Sequence, residues 1–131
     1  MTHVFVHGNP ETDFIWLPLL DELTARSIVD FVLLSPPGFG SPTPDDWSAT
    51  MAEYSGWLRA ELDQLDGPID LVGHDWGAGH VFGLLASPPA SVRSWAADCA
   101  VGASAASSPA TPSVPASGRS PRYSRARSSR E

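Results

Sequence analysis

Residues 69–86 read IDLVGHDWGAGHVFGLLA, and the organisation of the chain can be worked out from them. Strand-forming residues precede Gly73, and an apolar run typical of a helix follows Gly79. The segment therefore predicts a strand, a sharp turn and a helix, with Asp75 at the apex of the turn. Such a turn strains its central residue, so the residues two positions before and after it must be small. Gly73 and Gly77 meet that requirement.

A side chain at the apex of this kind of turn is exposed at the end of a sheet, where it can act as a nucleophile. The usual serine is replaced here by Asp75. A carboxylate is poorly suited to attack an amide or an ester, but it can displace a leaving group at a saturated carbon and form an alkyl–enzyme ester. Hydrolysis of that ester by water would return the carboxylate.

The motif GHDWGA at residues 73–78 resembles the aspartate-nucleophile branch of the α/β-hydrolase fold, which includes haloalkane dehalogenases and soluble-type epoxide hydrolases. The resemblance covers about residues 2–99 and implies only the N-terminal half of that fold. It implies a partial α/β sheet of about four parallel strands with flanking helices, in the spatial order second, first, third, fourth. It also implies that Asp75 is the catalytic nucleophile.

A second motif, HGNP at residues 7–10, follows a predicted strand. In the family, this turn and the residue after the nucleophile each supply one backbone N–H group of the oxyanion hole. The resemblance thus implies Asn9 and Trp76 as oxyanion and halide-binding residues, with Gly8 as a turn glycine. Epoxide hydrolases more often carry an aromatic residue where Asn9 stands, whereas the GHDWGA motif is closer to theirs. Both activities therefore stay open, and Asn9 with Trp76 narrowly favours the haloalkane.

Hydrophobic periodicity predicts the remaining elements. A helix is predicted over residues 13–26, and a strand over 28–34 that is apolar enough to be buried on both faces. A long amphipathic helix is predicted after a cap at Asp45 or Asp46. The last strand is predicted over 92–99. Alternating strands and helices indicate an α/β fold with a parallel sheet.

The mechanism implied by the resemblance also needs a histidine base and an acid that orients it. In the family the histidine comes from the second half of the fold, and no histidine follows His80 in this chain. We predict that His74 points away from Asp75 and that His80 is packed or solvated, so neither is predicted to be the base. Asp98 is a candidate acid, although the family spacing places that acid at Cys99. We therefore expect this chain to be incomplete and inactive, without the catalytic histidine or the lid.

The glycine spacing also allows a function of a different class, the binding of a dinucleotide. Gly77, Gly79 and Gly83 follow a strand, and Asp98 lies near where a ribose-binding acid would stand in a dinucleotide-binding module. In that fingerprint, however, the glycines follow the strand directly, whereas here three other residues intervene. An inert remnant is the remaining alternative.

Composition limits the partners. The net charge is −7 with a pI near 4.8, and the acidic body argues against nucleic acid. No apolar run approaches the ~20 residues of a membrane span, and no signal segment precedes the first strand, so we expect a cytoplasmic protein. The single cysteine excludes an internal disulfide. We predict a small apolar substrate, with no metal and no cofactor, and leave the oligomeric state open.

The character of the sequence changes at residue 101. Residues 1–100 hold all but one of the acidic residues, whereas 101–131 are rich in serine, alanine, proline and arginine. Such a segment lacks the apolar residues needed to build a core. We therefore predict an N-terminal half-domain over 1–100 and a low-complexity tail over 101–131 that is disordered or frameshifted.

Overall fold

The computed structural model describes residues 1–98. It contains a four-stranded parallel sheet in the order β2-β1-β3-β4. The strands are β1 (Thr2–Val6), β2 (Phe31–Leu34), β3 (Ile69–His74) and β4 (Val92–Asp98). The α-helices are α1 (Leu17–Ala25), α2 (Met51–Leu62) and α3 (Trp76–Leu85), and a 3-10 helix, Asp13–Trp16, precedes α1. The predicted fold class and strand order are confirmed.

Helices cover both faces of the sheet, because alternate residues of each strand point to opposite sides. Helices α2 and α3 pack on one face, where a cluster of aliphatic side chains forms the larger core: Val4, Val6, Leu34, Leu58, Leu62, Ile69, Leu71, Val81 and Leu84. Phe5 points to the other face and packs with Trp16 and with Leu20 of α1. Strand β3 lies between β1 and β4, so its C-terminal end is held in the middle of the sheet.

The helix predicted over residues 13–26 is divided into the 3-10 helix and α1. Helix α1 ends at Ala25 and β2 begins only at Phe31, whereas the strand was predicted to begin at residue 28. Ser27 adopts a φ of 64°, and the N–H of Ile28 donates to the Leu23 carbonyl at 2.9 Å. This left-handed cap occupies Ile28, so β2 begins only at Phe31. The prediction that the strand is buried on both faces was wrong, since β2 is a partly exposed edge strand.

The predicted cap of the long helix was also wrong. Asp46 and Ala49 have positive φ angles of 59° and 55°, so the chain there is not helical. Helix α2 begins after Thr50, whose side chain accepts the N–H of Glu53 at 3.3 Å. The Glu53 carboxylate in turn accepts the Thr50 N–H at 2.9 Å, which completes a capping box.

Cys99 and the tail predicted over 101–131 lie outside the described residues. Within residues 1–98, no helix is long and apolar enough to cross a membrane.

Candidate active site

The turn between β3 and α3 places Asp75 at its apex. Asp75 has φ 52° and ψ −120°, a conformation that L-residues rarely adopt. A Cβ atom at Gly73 would lie 2.7 Å from the Gly77 carbonyl oxygen. A Cβ at Gly77 would meet the Val6 carbonyl oxygen and would lie 2.7 Å from that of His7. Both glycines are therefore required because α3 begins directly against the ends of β1 and β3.

The turn after β1 meets the Asp75 carboxylate. The backbone N–H of Asn9 donates to Asp75 Oδ2 at 3.1 Å. A Cβ at Gly8 would lie 2.6 Å from the Asp75 Cβ, so only glycine lets the two turns approach this closely. The buried His7 ring shapes the turn, because its Nδ1 donates to the Gly8 carbonyl at 2.8 Å.

Backbone donors keep the Asp75 carboxyl ionised. The N–H of Asn9 and then that of Trp76 hold the pKa of Asp75 below its ordinary value of 3.8. Hydrogen bonds to the charged form favour ionisation in this way. Of the two N–H groups named from the sequence, that of Asn9 forms a hydrogen bond to the carboxylate. The Trp76 side chain is 55% exposed beside it.

Asp98 is brought to the turn, but its carboxylate faces His74 rather than Asp75. His74 Nδ1 and Asp98 Oδ1 are 2.7 Å apart, across the β3–β4 register pair that these residues form. Asp98 contacts Asp75 only through the backbone, where its carbonyl accepts the Asp75 N–H at 3.1 Å. In this arrangement the candidate acid orients a histidine that precedes the candidate nucleophile.

The four histidines of the chain all lie within the described residues. His80 is buried and stacks on Tyr54 with ring centroids 4.2 Å apart, and burial lowers its pKa from 6.5 to about 4. His3 lies at the opposite end of the sheet, where its ring faces Asp70 at 3.3 Å. His7 is hydrogen-bonded to the Gly8 carbonyl and His74 to Asp98, so neither of these hydrogen bonds is to the Asp75 carboxylate.

Sequence reasoning overlooked Glu11. Its Oε1 lies 3.7 Å from Nε2 of His74, so the His74 ring stands between two carboxylates. Glu11 follows the HGNP turn closely, and that proximity was the available signal. Among residues 1–98, no group of three or more histidine, cysteine, aspartate or glutamate side chains is arranged to hold a metal ion.

Two of the three glycines after the turn have packing explanations. Gly77 lies against the backbone of β1, and a Cβ at Gly83 would meet the Ser55 hydroxyl of α2. Gly79 has open space around it. The approach of α3 to the sheet and to α2 thus accounts for Gly77 and Gly83, but packing does not account for Gly79.

A groove of about 230 Å³ lies on the α1 face of the sheet, lined by Trp16, Leu19, Val72, Gly73, Ala96, Ala97 and Asp98. Its walls are mostly apolar, and Asp98 is at one edge. Asp75 is not among the lining residues. The groove therefore lies beside the turn, since the carbonyl of its lining residue Asp98 accepts the Asp75 N–H.

Comparisons with known proteins agree with this architecture. The sequence profile of the alpha/beta hydrolase family matches residues 4–131. A cis-3-alkyl-4-alkyloxetan-2-one decarboxylase from Xanthomonas campestris pv. campestris is 32% identical over 102 residues, which cover 69% of this chain and 33% of that protein. A haloalkane dehalogenase from Mesorhizobium japonicum is 31% identical over 94 residues, covering 70% of this chain and 29% of that protein. The chain spans about a third of the length of these relatives, and it belongs to the alpha/beta hydrolase family.

Proposed function

We propose that this chain carries the nucleophile of a haloalkane dehalogenase-like hydrolase, and that Asp75 attacks the halogen-bearing carbon of a small apolar substrate. The observation that carries the proposal is the Asp75 carboxylate at the apex of a strained turn, where it accepts the backbone N–H of Asn9. The similarity to a haloalkane dehalogenase supports the choice of substrate.

In the proposed first step, one carboxylate oxygen forms a bond to the saturated carbon. Oδ2 accepts the Asn9 N–H, so Oδ1 is the oxygen assigned to the attack. The carbon–halogen bond breaks, the halide leaves with the bonding electron pair, and an alkyl ester of Asp75 remains. The side-chain N–H groups of Asn9 and Trp76 are the proposed donors to the departing halide.

The second step would be the attack of water on the ester carbonyl carbon. Negative charge then develops on the oxygen that faces the Asn9 N–H, and donors placed there in advance stabilise it. Water also needs a base, and no hydrogen bond joins any of the four histidine rings to the Asp75 carboxylate: His7 and His80 are buried, His74 donates to Asp98, and His3 lies at the other end of the sheet. We therefore expect this chain alone to form the ester and to stall there.

Mass spectrometry after incubation with 1-bromobutane tests the proposal. We expect one butyl group to be added per chain, located at Asp75 by peptide mapping, with one equivalent of bromide released. The matched control is Asp75→Asn, which keeps the shape of the side chain but removes the nucleophile. Both proteins should carry Cys99→Ser, because a thiol would also be alkylated by 1-bromobutane.

Two results would contradict this proposal. Absence of a butyl adduct at Asp75 would exclude the alkylation step. Sustained bromide release that is lost in Asp75→Asn would show that a base has been overlooked, and His80 would be the first residue to replace.

A second candidate substrate is an alkylated oxetan-2-one, favoured by the similarity to the decarboxylase. Such a ring also contains a saturated carbon bonded to a leaving group, here the acyl oxygen. Attack by Asp75 on that carbon would break its bond to the ring oxygen and release a carboxylate, which stays attached through the ring carbons. Parallel incubations with 1-bromobutane, a dialkyl oxetan-2-one and styrene oxide compare the two candidates with the epoxide alternative. The substrate that alkylates Asp75 fastest identifies the class.

A further inference from the structure

The His74 ring connects two parts of the chain that meet at the turn after β3. Its Nδ1 lies 2.7 Å from Asp98 Oδ1 at the end of β4, and its Nε2 lies 3.7 Å from Glu11 Oε1 beyond the HGNP turn. Because a carboxylate only accepts hydrogen bonds, Nδ1 is the donor to Asp98. The separation of Nε2 from Glu11 is longer than a hydrogen bond, so Glu11 acts on the ring as a neighbouring charge. The indole of Trp16 packs edge-on to the ring, with centroids 6.2 Å apart, and restricts its orientation.

The side chain of His74 and the residue Asp75 contact the same two segments of the chain. Asp75 receives the Asn9 N–H at 3.1 Å, and His74 contacts Glu11 in the same loop. The Asp75 N–H donates to the Asp98 carbonyl at 3.1 Å, and His74 contacts the carboxylate of the same residue. The turn thus has two hydrogen bonds to the end of β4 and one to the loop after β1, where His74 also faces the Glu11 carboxylate.

We propose that His74 is a positioning residue that holds the Asn9 loop and the end of β4 in register with the Asp75 carboxylate, through Glu11 and Asp98. This inference rests on the proposed role of Asp75 as nucleophile. Asn9 donates through its backbone, so its position depends on the loop that carries it. A loop end that shifts by a fraction of an ångström weakens that hydrogen bond, which is directional and loses strength with distance and angle.

The three side chains are partly exposed, with 25% of His74, 29% of Glu11 and 68% of Asp98 accessible. Ion pairs in such surroundings contribute little to the free energy of unfolding. The variants Glu11→Gln and Asp98→Asn are therefore expected to fold. They can report on positioning without a large loss of stability.

The decisive measurement is the pKa of Asp75, followed by NMR of its carboxyl carbon, in Glu11→Gln and in Asp98→Asn. Removal of a nearby negative charge would by itself lower the pKa of a carboxyl group. We expect the opposite, a rise toward the ordinary value of 3.8, because the hydrogen bond from Asn9 is weakened. Alkylation of Asp75 by 1-bromobutane should slow by roughly tenfold, less than the ~100-fold that a 1 Å misplacement can cause.

Two further variants serve as controls. His74→Gln keeps a donor and should retain more of the alkylation rate than His74→Leu. His3→Leu removes a comparable ring, 20% exposed and facing a carboxylate on the same side of the sheet but at its other end. It should leave both the pKa and the alkylation rate of Asp75 unchanged.

The proposal is overturned if the pKa of Asp75 falls or stays constant in both carboxyl variants, or if His3→Leu changes it as much as they do. If wild-type protein is not alkylated but the pKa rises as expected, the positioning role stands and the proposed haloalkane chemistry fails. If the wild-type protein is alkylated but the variants change neither the pKa of Asp75 nor the alkylation rate, the haloalkane chemistry stands and the positioning role fails.

Discussion

The two ends of the sheet carry the same pair of side chains in different surroundings. At the carboxyl end, His74 bonds Asp98 across β3 and β4 at 2.7 Å. At the amino end, His3 faces Asp70 across β1 and β3 at 3.3 Å. Both pairs lie on the α1 side of the sheet. Each consists of a histidine beside an aspartate, but the neighbouring residues differ.

At the amino end the carboxylate is neutralised. Asp70 accepts two hydrogen bonds from Arg93 Nη2, at 2.8 and 2.7 Å, and one from the Ser94 hydroxyl at 2.6 Å. Partial burial acts to raise the pKa of Asp70, but Ser94 and Arg93 hold it below its ordinary value. At the carboxyl end, the Asp75 carboxylate instead accepts the uncharged backbone N–H of Asn9. The first arrangement favours stability, and the second leaves a carboxylate able to react.

The carboxyl end should be the less tolerant of added atoms. Gly77→Ala would drive a methyl group into the carbonyl oxygens of Val6 and His7, which belong to rigid backbone. We expect a loss of about 3 kcal/mol in the free energy of unfolding, measured by urea denaturation. Gly79→Ala is the matched control, because nothing lies within 4 Å of its added methyl. It should be neutral or up to about 1 kcal/mol more stable, since alanine favours the helix. Equal stability of the two variants would contradict the close packing described here.

Acid should destabilise the protein through His80 before it protonates Asp70. Burial lowers the pKa of His80 from 6.5 to about 4, so below pH 6.5 the unfolded chain takes up a proton that the folded chain does not. The free energy of unfolding should then fall by about 1.4 kcal/mol per pH unit between pH 6.5 and 4.

The test of that prediction is His80→Leu, which should show a smaller slope in this pH range. His3 contributes a slope of the same sign, because desolvation lowers its pKa despite Asp70. The carboxylate of Asp70 contributes stability above its ordinary pKa of 3.8, and this is lost only below that pH. An unchanged slope in His80→Leu would show that His80 is accessible to protons in the folded protein.

Removal of Arg93 should separate stability from reactivity. Arg93→Gln breaks the bidentate pair with Asp70, in which Nε donates to Oδ1 and Nη2 to Oδ2. We expect a loss of about 1 kcal/mol, as for a partly exposed hydrogen-bonded ion pair. The alkylation rate of Asp75 should stay at the wild-type value, because the pair lies at the far end of β3. A slower alkylation in Arg93→Gln would mean that the two ends of the sheet are coupled.

The smallest expected effect concerns backbone strain at Asp75. Glycine adopts a φ of 52° at no steric cost, so Asp75→Gly should raise the free energy of unfolding by about 1 kcal/mol while abolishing alkylation. Ala49→Gly, at a φ of 55° in the loop before α2, is a control that should relieve strain without changing alkylation. If Asp75→Gly is less stable than the wild type, the hydrogen bond from Asn9 outweighs the strain.

Local sequence was sufficient for the elements whose signals lie within a few residues. The strand, turn and helix around Asp75 follow from apolar runs and glycines at fixed offsets, and they appear as β3 and α3. The strand order was inferred from the resemblance and was confirmed. Element ends were less predictable, because several neighbouring residues can cap the same helix. Asp45, Asp46 and Thr50 are all of suitable type. The cap is Thr50, since the chain at Asp46 and Ala49 has positive φ angles and is not helical.

The sequence by itself determined that an aspartate stands at a glycine-flanked turn and that an asparagine follows a strand in HGNP. Only the tertiary structure decided what those residues touch. The Asn9 N–H and the Asp75 carboxylate are 66 positions apart in the chain, and His74 and Asp98 are 24 apart. Their contacts depend on the parallel pairing of β3 with β1 and β4. Because a shift of one residue in that pairing turns every side chain of a strand to the other face, the orientation of Asp98 toward His74 was set by register and not by local sequence.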